Sequence, residues 1–399
     1  MTDFHGGKDL SSSYCNAHSD KAQLQTQTLF KSNETAGNVY RIPALLYERE
    51  SKTLLAFAEQ RKTPDDASGE KLVMRTGKIK EGSSEKMVEW SELKEVEKAL
   101  IKGYRPMNPC PVYDKINRKL SLFFICVEDG ITEMYQKENY DNRTHLCYIT
   151  SEDLGETWSD VSDLTDKLSE IKNWPTFAVG PGHGIQTESG RLIIPVYAYT
   201  SFCCKPCFLP SSKSYVLSLY SGSHGKNWKF GELFNTVSVE CEMAELSKDY
   251  CNARNVGGYR VEAVSHDNGV KFNILQPGNK LVETDSGCQG SVISFQAQPE
   301  NANTESDPNQ NFEKWLLFMH PTSLTDRVEL GVYLNMYPPH IKAWSKPCIN
   351  NEGPSGYSHL AYIDDGCFAC LFECGQQEIY EQIASVVFHY TDIKEGTEF

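Results

Sequence analysis

The chain has 399 residues, of which 39% are hydrophobic and 11% aromatic, enough to bury a large core. Its 39 Lys and Arg against 54 Asp and Glu leave a formal charge of -15, which argues against a phosphate-tracking nucleic-acid binder and against attraction to anionic lipid. An anionic small molecule would therefore have to be caught by locally placed cations, not by the field of the whole molecule.

Residues 1–35 are polar and aperiodic ("SSS", "AHSDKAQLQTQ") and are expected to form a mobile tail. The opening "MTDFHGGKDLSSSYC" has no apolar stretch, so no secretory signal is expected, and neither end carries a lipidation motif. Fourteen cysteines without a signal read as reduced thiols, which would leave the sequons at Asn33 and Asn142 unused.

Residues 36–399 are expected to form one domain. Strand-like runs follow one another, bounded by Gly, Pro, Asn and Asp: "VYRIPALLY" with Arg41, "FAEQR" with Arg61, "KLSLFFICV", "RLIIPVYAYT". The longest apolar run, near Leu122 to Val127, is too short to span a bilayer. "EVEKALIKGY" is the short helical candidate. "FCCKPC" holds a Cys204-x-x-Cys207 pair, but no second pair at ligand spacing follows, so no metal is assigned. "QAQPENANTESDPNQNFEK" reads as a polar loop insertion at 296–314.

A frame Ser-x-Asp-x-Gly-x-x-aromatic recurs as "SEDLGETW" from Ser151, "SGSHGKNW" from Ser221 and "SHDNGVKF" from Ser265. Asp closes a turn through backbone N–H groups, Gly supplies positive φ, and the aromatic residue packs beneath. In the second copy Ser223 replaces the Asp. Three copies predict a repeated hairpin, and many short strands with such a repeat predict an all-β fold, a six-bladed β-propeller with Asp-box hairpins.

Three arginines interrupt apolar runs: Arg41, Arg254 in "YCNARNVGG" and Arg327 in "HPTSLTDRVELGVYL". Blades that each send an inner strand to a shared axis would bring them together, and a cluster of guanidinium forks suits a carboxylate. Taken singly, each arginine also fits a salt bridge between blades. Asp65 and Asp66 in "RKTPDDASGEK", Glu240 in "VSVECEMAEL", Tyr357 in "GPSGYSHL" and Glu373 in "CLFECG" follow the same pattern.

These pieces, with "MNPCP", "TFAVGPGHGIQ", "GCQGSVISF" and "HPTS", resemble the animal sialidases (neuraminidases) over about residues 38–392. "LFECGQQEIYEQIA" and the cysteine-rich loop look most like the membrane-associated, ganglioside-preferring branch. The resemblance implies a six-bladed exo-glycosidase without metal or organic cofactor, acting on sialylated glycolipids, oligosaccharides and glycoproteins. It implies that Arg41, Arg254 and Arg327 bind the sialic acid carboxylate and that Glu373 orients Arg41. Tyr357 would be the nucleophile, Glu240 its base and Asp66 the acid/base, with Asp65 an open alternative. Arg61 and Asn108 would contact the N-acetyl side; Glu133, Tyr197, Tyr199 and Gln289 would line the glycerol and ring-oxygen side. It further implies peripheral attachment to plasma membrane or endomembrane, the cytoplasm being the alternative and S-acylation in "FCCKPC" a conceivable anchor. Two rival readings remain: a non-catalytic propeller that binds sialylated glycans, and a trans-sialidase.

Overall fold

The computed structural model describes residues 26–80, 87–200, 212–256, 258–297 and 314–394. The cysteine-rich loop, most of the 296–314 insertion and residues 1–25 lie outside the described residues.

The described chain is almost wholly antiparallel β-structure, arranged like a propeller. The "EVEKALIKGY" segment is not helical. Lys94–Glu95 pairs with the strand Gly69–Ile79, and Val96 N donates to Leu72 O at 2.9 Å. Val96 and Ala99 are buried there, and the segment serves as an edge because its two apolar residues complete a sheet-packing cluster.

The strands fall into five hydrogen-bonded sheets. Four of them, with four or five strands each, have the size of a blade; the fifth has seven strands. Six separate sheets were expected, and this corrects the count. The physical reason is one long strand, Cys348–Tyr362. Its first part pairs with Val328–Asn335 and its second with Cys367–Cys374, so the backbone ladder passes unbroken between two groups of strands. The inner strands Val39–Glu48, Tyr104–Asp114, Ile185–Gln186, Val239–Glu245, Ser291–Gln296 and the end of Cys348–Tyr362 contact one another around a closed ring.

The expected tail boundary also shifts. Gln27–Lys31 is a strand that pairs with Gln382–His389, so chain start and chain end share one sheet. That pairing covers a backbone edge that would otherwise be open. Between sheets, side chains such as Phe57, Phe124, Phe318 and Phe372 are fully buried. Each contributes roughly 1.5–3 kcal/mol of apolar burial.

The three repeated frames form the same turn. Gly155, Gly225 and Gly269 have φ of 91°, 78° and 79°. Their N–H groups donate to Ser151, Ser221 and Ser265 Oγ at 2.8, 2.9 and 2.9 Å. Asp153 Oδ1 accepts from Thr157 N at 2.8 Å, and Asp267 Oδ1 from Lys271 N at 2.9 Å. In the degenerate copy Ser223 Oγ accepts from Asn227 N at 3.0 Å, so one hydroxyl does the work of the carboxylate. Trp158, Trp228 and Phe272 pack beneath against Phe57, Phe123 and Phe234. These turns lie at the end of the strands opposite the site described next.

Candidate active site

Four inner strands break register where they reach one mouth of the ring: between Arg41 and Ala44, Met107 and Cys110, Val239 and Cys241, and Ser355 and Ser358. A bulge inserts an unpaired residue and re-aims side chains. Ile42, Asn108 and Glu240, inside these breaks, have φ of 58°, 57° and 27°. Positive φ at a β-branched residue is a strained conformation, of order 1–3 kcal/mol, held in place by the surrounding structure.

Glu373, fully buried, anchors the first arginine. Its Oε1 accepts from Arg41 Nε at 2.7 Å and Ile42 N at 2.9 Å; its Oε2 accepts from Arg41 NH2 at 3.2 Å and Tyr357 N at 3.1 Å. Only glycine fits at 356, since a Cβ there would meet Glu373 Oε2 at 2.4 Å. Burial opposes the Arg41 charge, but Glu373 outweighs it and the guanidinium stays protonated.

Tyr357 gathers the remaining groups. Its hydroxyl donates to Glu240 Oε1 in a very short contact, and Arg254 NH1 reaches both Tyr357 Oη at 3.2 Å and Glu240 Oε2 at 2.7 Å. The Arg41 and Arg327 guanidinium carbons lie 5.9 and 5.5 Å from the Tyr357 ring centre. All three arginines therefore meet one phenol. Burial and Glu240 raise the Tyr357 pKa well above the free value, while Arg254 and Arg327 pull it down.

Asp65 and Asp66 separate into two roles. Asp65 caps the turn, accepting from Ala67 N at 2.7 Å. Asp66 accepts from Arg61 NH1 at 2.5 Å, and its side chain is 75% exposed at the mouth. Across the opening, Glu133 begins the helix Glu133–Asn139 and bonds the Tyr199 hydroxyl. Lys137 Nζ sits 4.6 Å above the Tyr199 ring. Tyr197 and Tyr199 meet edge to face at 6.2 Å, and burial raises both phenols.

Two of the residues expected on the sugar side are braced by protein groups. Arg61, 1% exposed, is filled by Glu59, Asp66 and the Pro64 carbonyl. Gln289, also 1% exposed, donates to Glu242 at 3.2 Å and accepts from Ser358 N at 3.1 Å. Both brace neighbours of the site because a buried fork or amide must be satisfied where it lies. Asn108 is likewise tied down: its N–H donates to Glu59 Oε1 at 2.6 Å and its Nδ2 to Val179 O at 3.0 Å. Glu59 thus organises Arg61 and Asn108 together. Its position in "FAEQR" was visible in the sequence, but its role required the non-local pairing.

Beneath the site His183, Glu242 and His359 place ligand-type atoms within 4.8 Å of one another. They do not fit a metal. His359 Nδ1 accepts from Leu45 N at 2.8 Å, so the ring proton is on Nε2, the atom that faces the other two residues. That Nε2–H lies 2.8 Å from His183 Nδ1 and 3.0 Å from Glu242 Oε1, and a proton occupies the place an ion would need. The ten cysteines among the described residues are buried, and none of them is in a disulfide.

A closed ring of sheets places three arginines, a phenol and carboxylates at one mouth, an arrangement chemically suited to gripping a small carboxylated ligand. The BNR repeat-like domain family matches residues 52–370. Sialidase-3 of Homo sapiens is 42% identical over 402 residues, covering 92% of each chain, and Sialidase-2 of Mus musculus is 40% identical over 379 residues, covering 92% of this chain and 95% of the other. Among solved structures, Hadza microbial sialidase Hz136 superposes with a TM-score of 0.74 at 18% identity, covering 92% of this chain and 69% of that one. The chain belongs to the animal sialidases and is an exo-α-sialidase. The non-catalytic reading is thereby set aside.

Proposed function

We propose that the enzyme hydrolyses terminal sialic acid from glycolipids and other sialylated glycans with retention, through a covalent bond between Tyr357 Oη and the anomeric carbon. The observation that carries this is the position of one phenol between Glu240 and three guanidinium groups. The anomeric carbon of sialic acid bears a carboxylate. An anionic nucleophile would have to approach that carboxylate against strong repulsion, whereas a neutral phenol does not. Sialidases with a tyrosine nucleophile depart from the two-carboxylate pattern of most glycosidases.

Arg41, Arg254 and Arg327 receive the carboxylate and hold the anomeric carbon over Tyr357. Glu240 takes the Tyr357 proton as Oη attacks, and Asp66 protonates the departing glycosidic oxygen. Asp66 then takes a proton from the incoming water, whose oxygen replaces Oη, and Glu240 returns its proton to the phenol. Exposure of Asp66 at the mouth suits contact with a leaving group of varied size. Tyr197, Tyr199, Glu133 and Asn108 would line the rest of the pocket.

The glycolipid preference draws support from the rim. Met134, Val237, Val256 and Leu324 are exposed apolar residues, each within three positions of Glu133, Glu240, Arg254 or Arg327. Their closeness in the chain to site residues would put apolar surface beside the mouth, and that suits a substrate presented at a lipid surface. We also read the seven-stranded sheet as two blade-sized groups joined by Cys348–Tyr362, which makes the architecture six-bladed.

Replacing Tyr357 by Phe tests the mechanism. The expected result is folded protein that no longer releases sialic acid from a fluorogenic sialoside. Wild-type turnover by that variant would eliminate Tyr357 as nucleophile.

A further inference from the structure

Two of the three arginines are held from behind by one turn. Arg254 NH2 donates to Ser286 O at 2.7 Å and Arg327 NH2 donates to Gly287 O at 2.9 Å. Gly287 has a φ of 76°, and a Cβ there would stand 2.7 Å from Arg254 Nε, so the turn presses directly on the guanidinium. The placement of these two consecutive carbonyls sets the spacing of the two forks.

The turn hangs on a carboxylate that never reaches the cavity. Glu283 is fully buried. Its Oε1 accepts from Thr284 N at 3.2 Å and Cys288 N at 3.0 Å, and its Oε2 from Asn255 N at 3.1 Å and Arg260 NH1 at 2.8 Å. It therefore ties both ends of the turn, and it ties the backbone just after Arg254. Arg260 NH1 also donates to Cys288 O at 2.6 Å, and its Nε to Asn252 Oδ1 at 2.8 Å.

His320, from the "HPTS" stretch, completes the cluster. Its Nδ1 lies 2.6 Å from Pro321 O, a pure acceptor, so that nitrogen carries a proton. Its Nε2 lies 2.9 Å from Glu283 Oε1, close but outside good hydrogen-bond alignment. Arg260 and the His320 ring both lie on Phe318, which fixes their planes. Burial alone would push the Glu283 carboxyl up, but Arg260 and then His320 outweigh it and hold it well below the usual range. An ionised acceptor is what these four converging N–H donors require.

We propose that Glu283 is a positioning residue for the carboxylate clamp, aligning Arg254 and Arg327 through the Ser286–Gly287 turn, with Arg260 and His320 fixing its own carboxylate. The assignment rests on the reading of those arginines as the carboxylate site. Glu283→Gln keeps the volume but replaces one acceptor oxygen by a donor. The turn then loses an anchor, and the two forks lose their common spacing.

The test compares inhibition by a 2,3-unsaturated sialic acid analogue with inhibition by its methyl ester, in wild type and in E283Q. Wild type should favour the acid strongly. E283Q should lose about tenfold to a hundredfold of that preference, since small misplacements at a site carry penalties of this size. Loss of folded enzyme lowers the active fraction and leaves the acid-to-ester ratio unchanged. An unchanged ratio in active E283Q overturns the positioning role. A wild type that binds acid and ester alike overturns the clamp, and the assignment with it. Should E283Q fail to fold, His320→Gln carries the same measurement: a reduced ratio supports the proposal and a full ratio contradicts it.

Discussion

Glu242 and Glu240 are two residues apart on one strand, yet they answer to different surroundings. Glu240 faces the mouth; Glu242 is enclosed with His183, His359 and Ser291. Burial pushes the Glu242 carboxyl up to about 7 from 4.5, and burial holds His183 and His359 down, near 4 and 3. For Glu242 the folded pKa lies above the unfolded one. Its proton therefore favours the fold at low pH, and that contribution is lost as pH rises through about 7. The histidines act in the opposite sense, because the unfolded chain binds their protons first as pH falls below 6.5. A comparison of wild type with Glu242→Gln isolates the carboxyl. The wild-type advantage in Tm should shrink between pH 5 and pH 7.5, and a constant difference would refute the assignment. At this scale much of the grouping was legible: Arg41, Arg254, Arg327, Tyr357 and Glu240, distant in sequence, lie together around one phenol, while their roles stand as proposals. The protein partners of Arg61 and Gln289 were not legible, because sequence names a residue near a site but not the group that braces it. Glu59, Glu283 and His320 escaped for the same reason.

Elements divide by whether their information is local. Each Asp-box turn is written in eight neighbouring residues, so its serine, glycine and aromatic positions could be assigned before any fold was known. Asp153 illustrates the local logic: bonds chiefly from the Thr157 hydroxyl bring its carboxyl down to about 2. Removing the hydrogen bonds from Thr157 by Asp153→Ala should cost about 0.5–1 kcal/mol of stability at neutral pH, less than the shift alone would imply because water screens an exposed carboxylate. The readout is the urea midpoint, with activity unaffected because the turns lie at the far end of the strands. No change in midpoint would show the box to be dispensable. The bulges at Arg41, Met107, Val239 and Ser355 were not legible, because a register shift exists only relative to a partner strand distant in sequence. The "EVEKALIKGY" segment was misread for a related reason: tertiary pairing to Leu72 overrides a weak helical pattern.

At the scale of the molecule, the all-β class followed from punctuated apolar runs, while the number of separate sheets did not. A strand of fifteen residues that serves two neighbours looks, in sequence, like any other long strand. The closing strand Gln27–Lys31 was likewise hidden in a polar stretch, since only Leu29 and Phe30 turn inward. The rim could not be read at all, because exposure belongs to the folded surface. It leads to a prediction about substrate presentation. Replacing Val256 and Leu324 by Ser should lower hydrolysis of ganglioside in zwitterionic vesicles and leave hydrolysis of sialyllactose at the wild-type level. Equal losses on both substrates would refute a lipid-facing rim.

The chemistry itself is tested by trapping. A sialosyl fluoride with a second fluorine at C3 slows both bond-making and bond-breaking at the anomeric carbon, so a covalent intermediate should accumulate. Peptide mass mapping of the inactivated enzyme should find one sialosyl adduct on Tyr357. An adduct on Glu240 or Asp66, or continued turnover with no adduct at all, would contradict a phenol nucleophile held between a glutamate and three arginines.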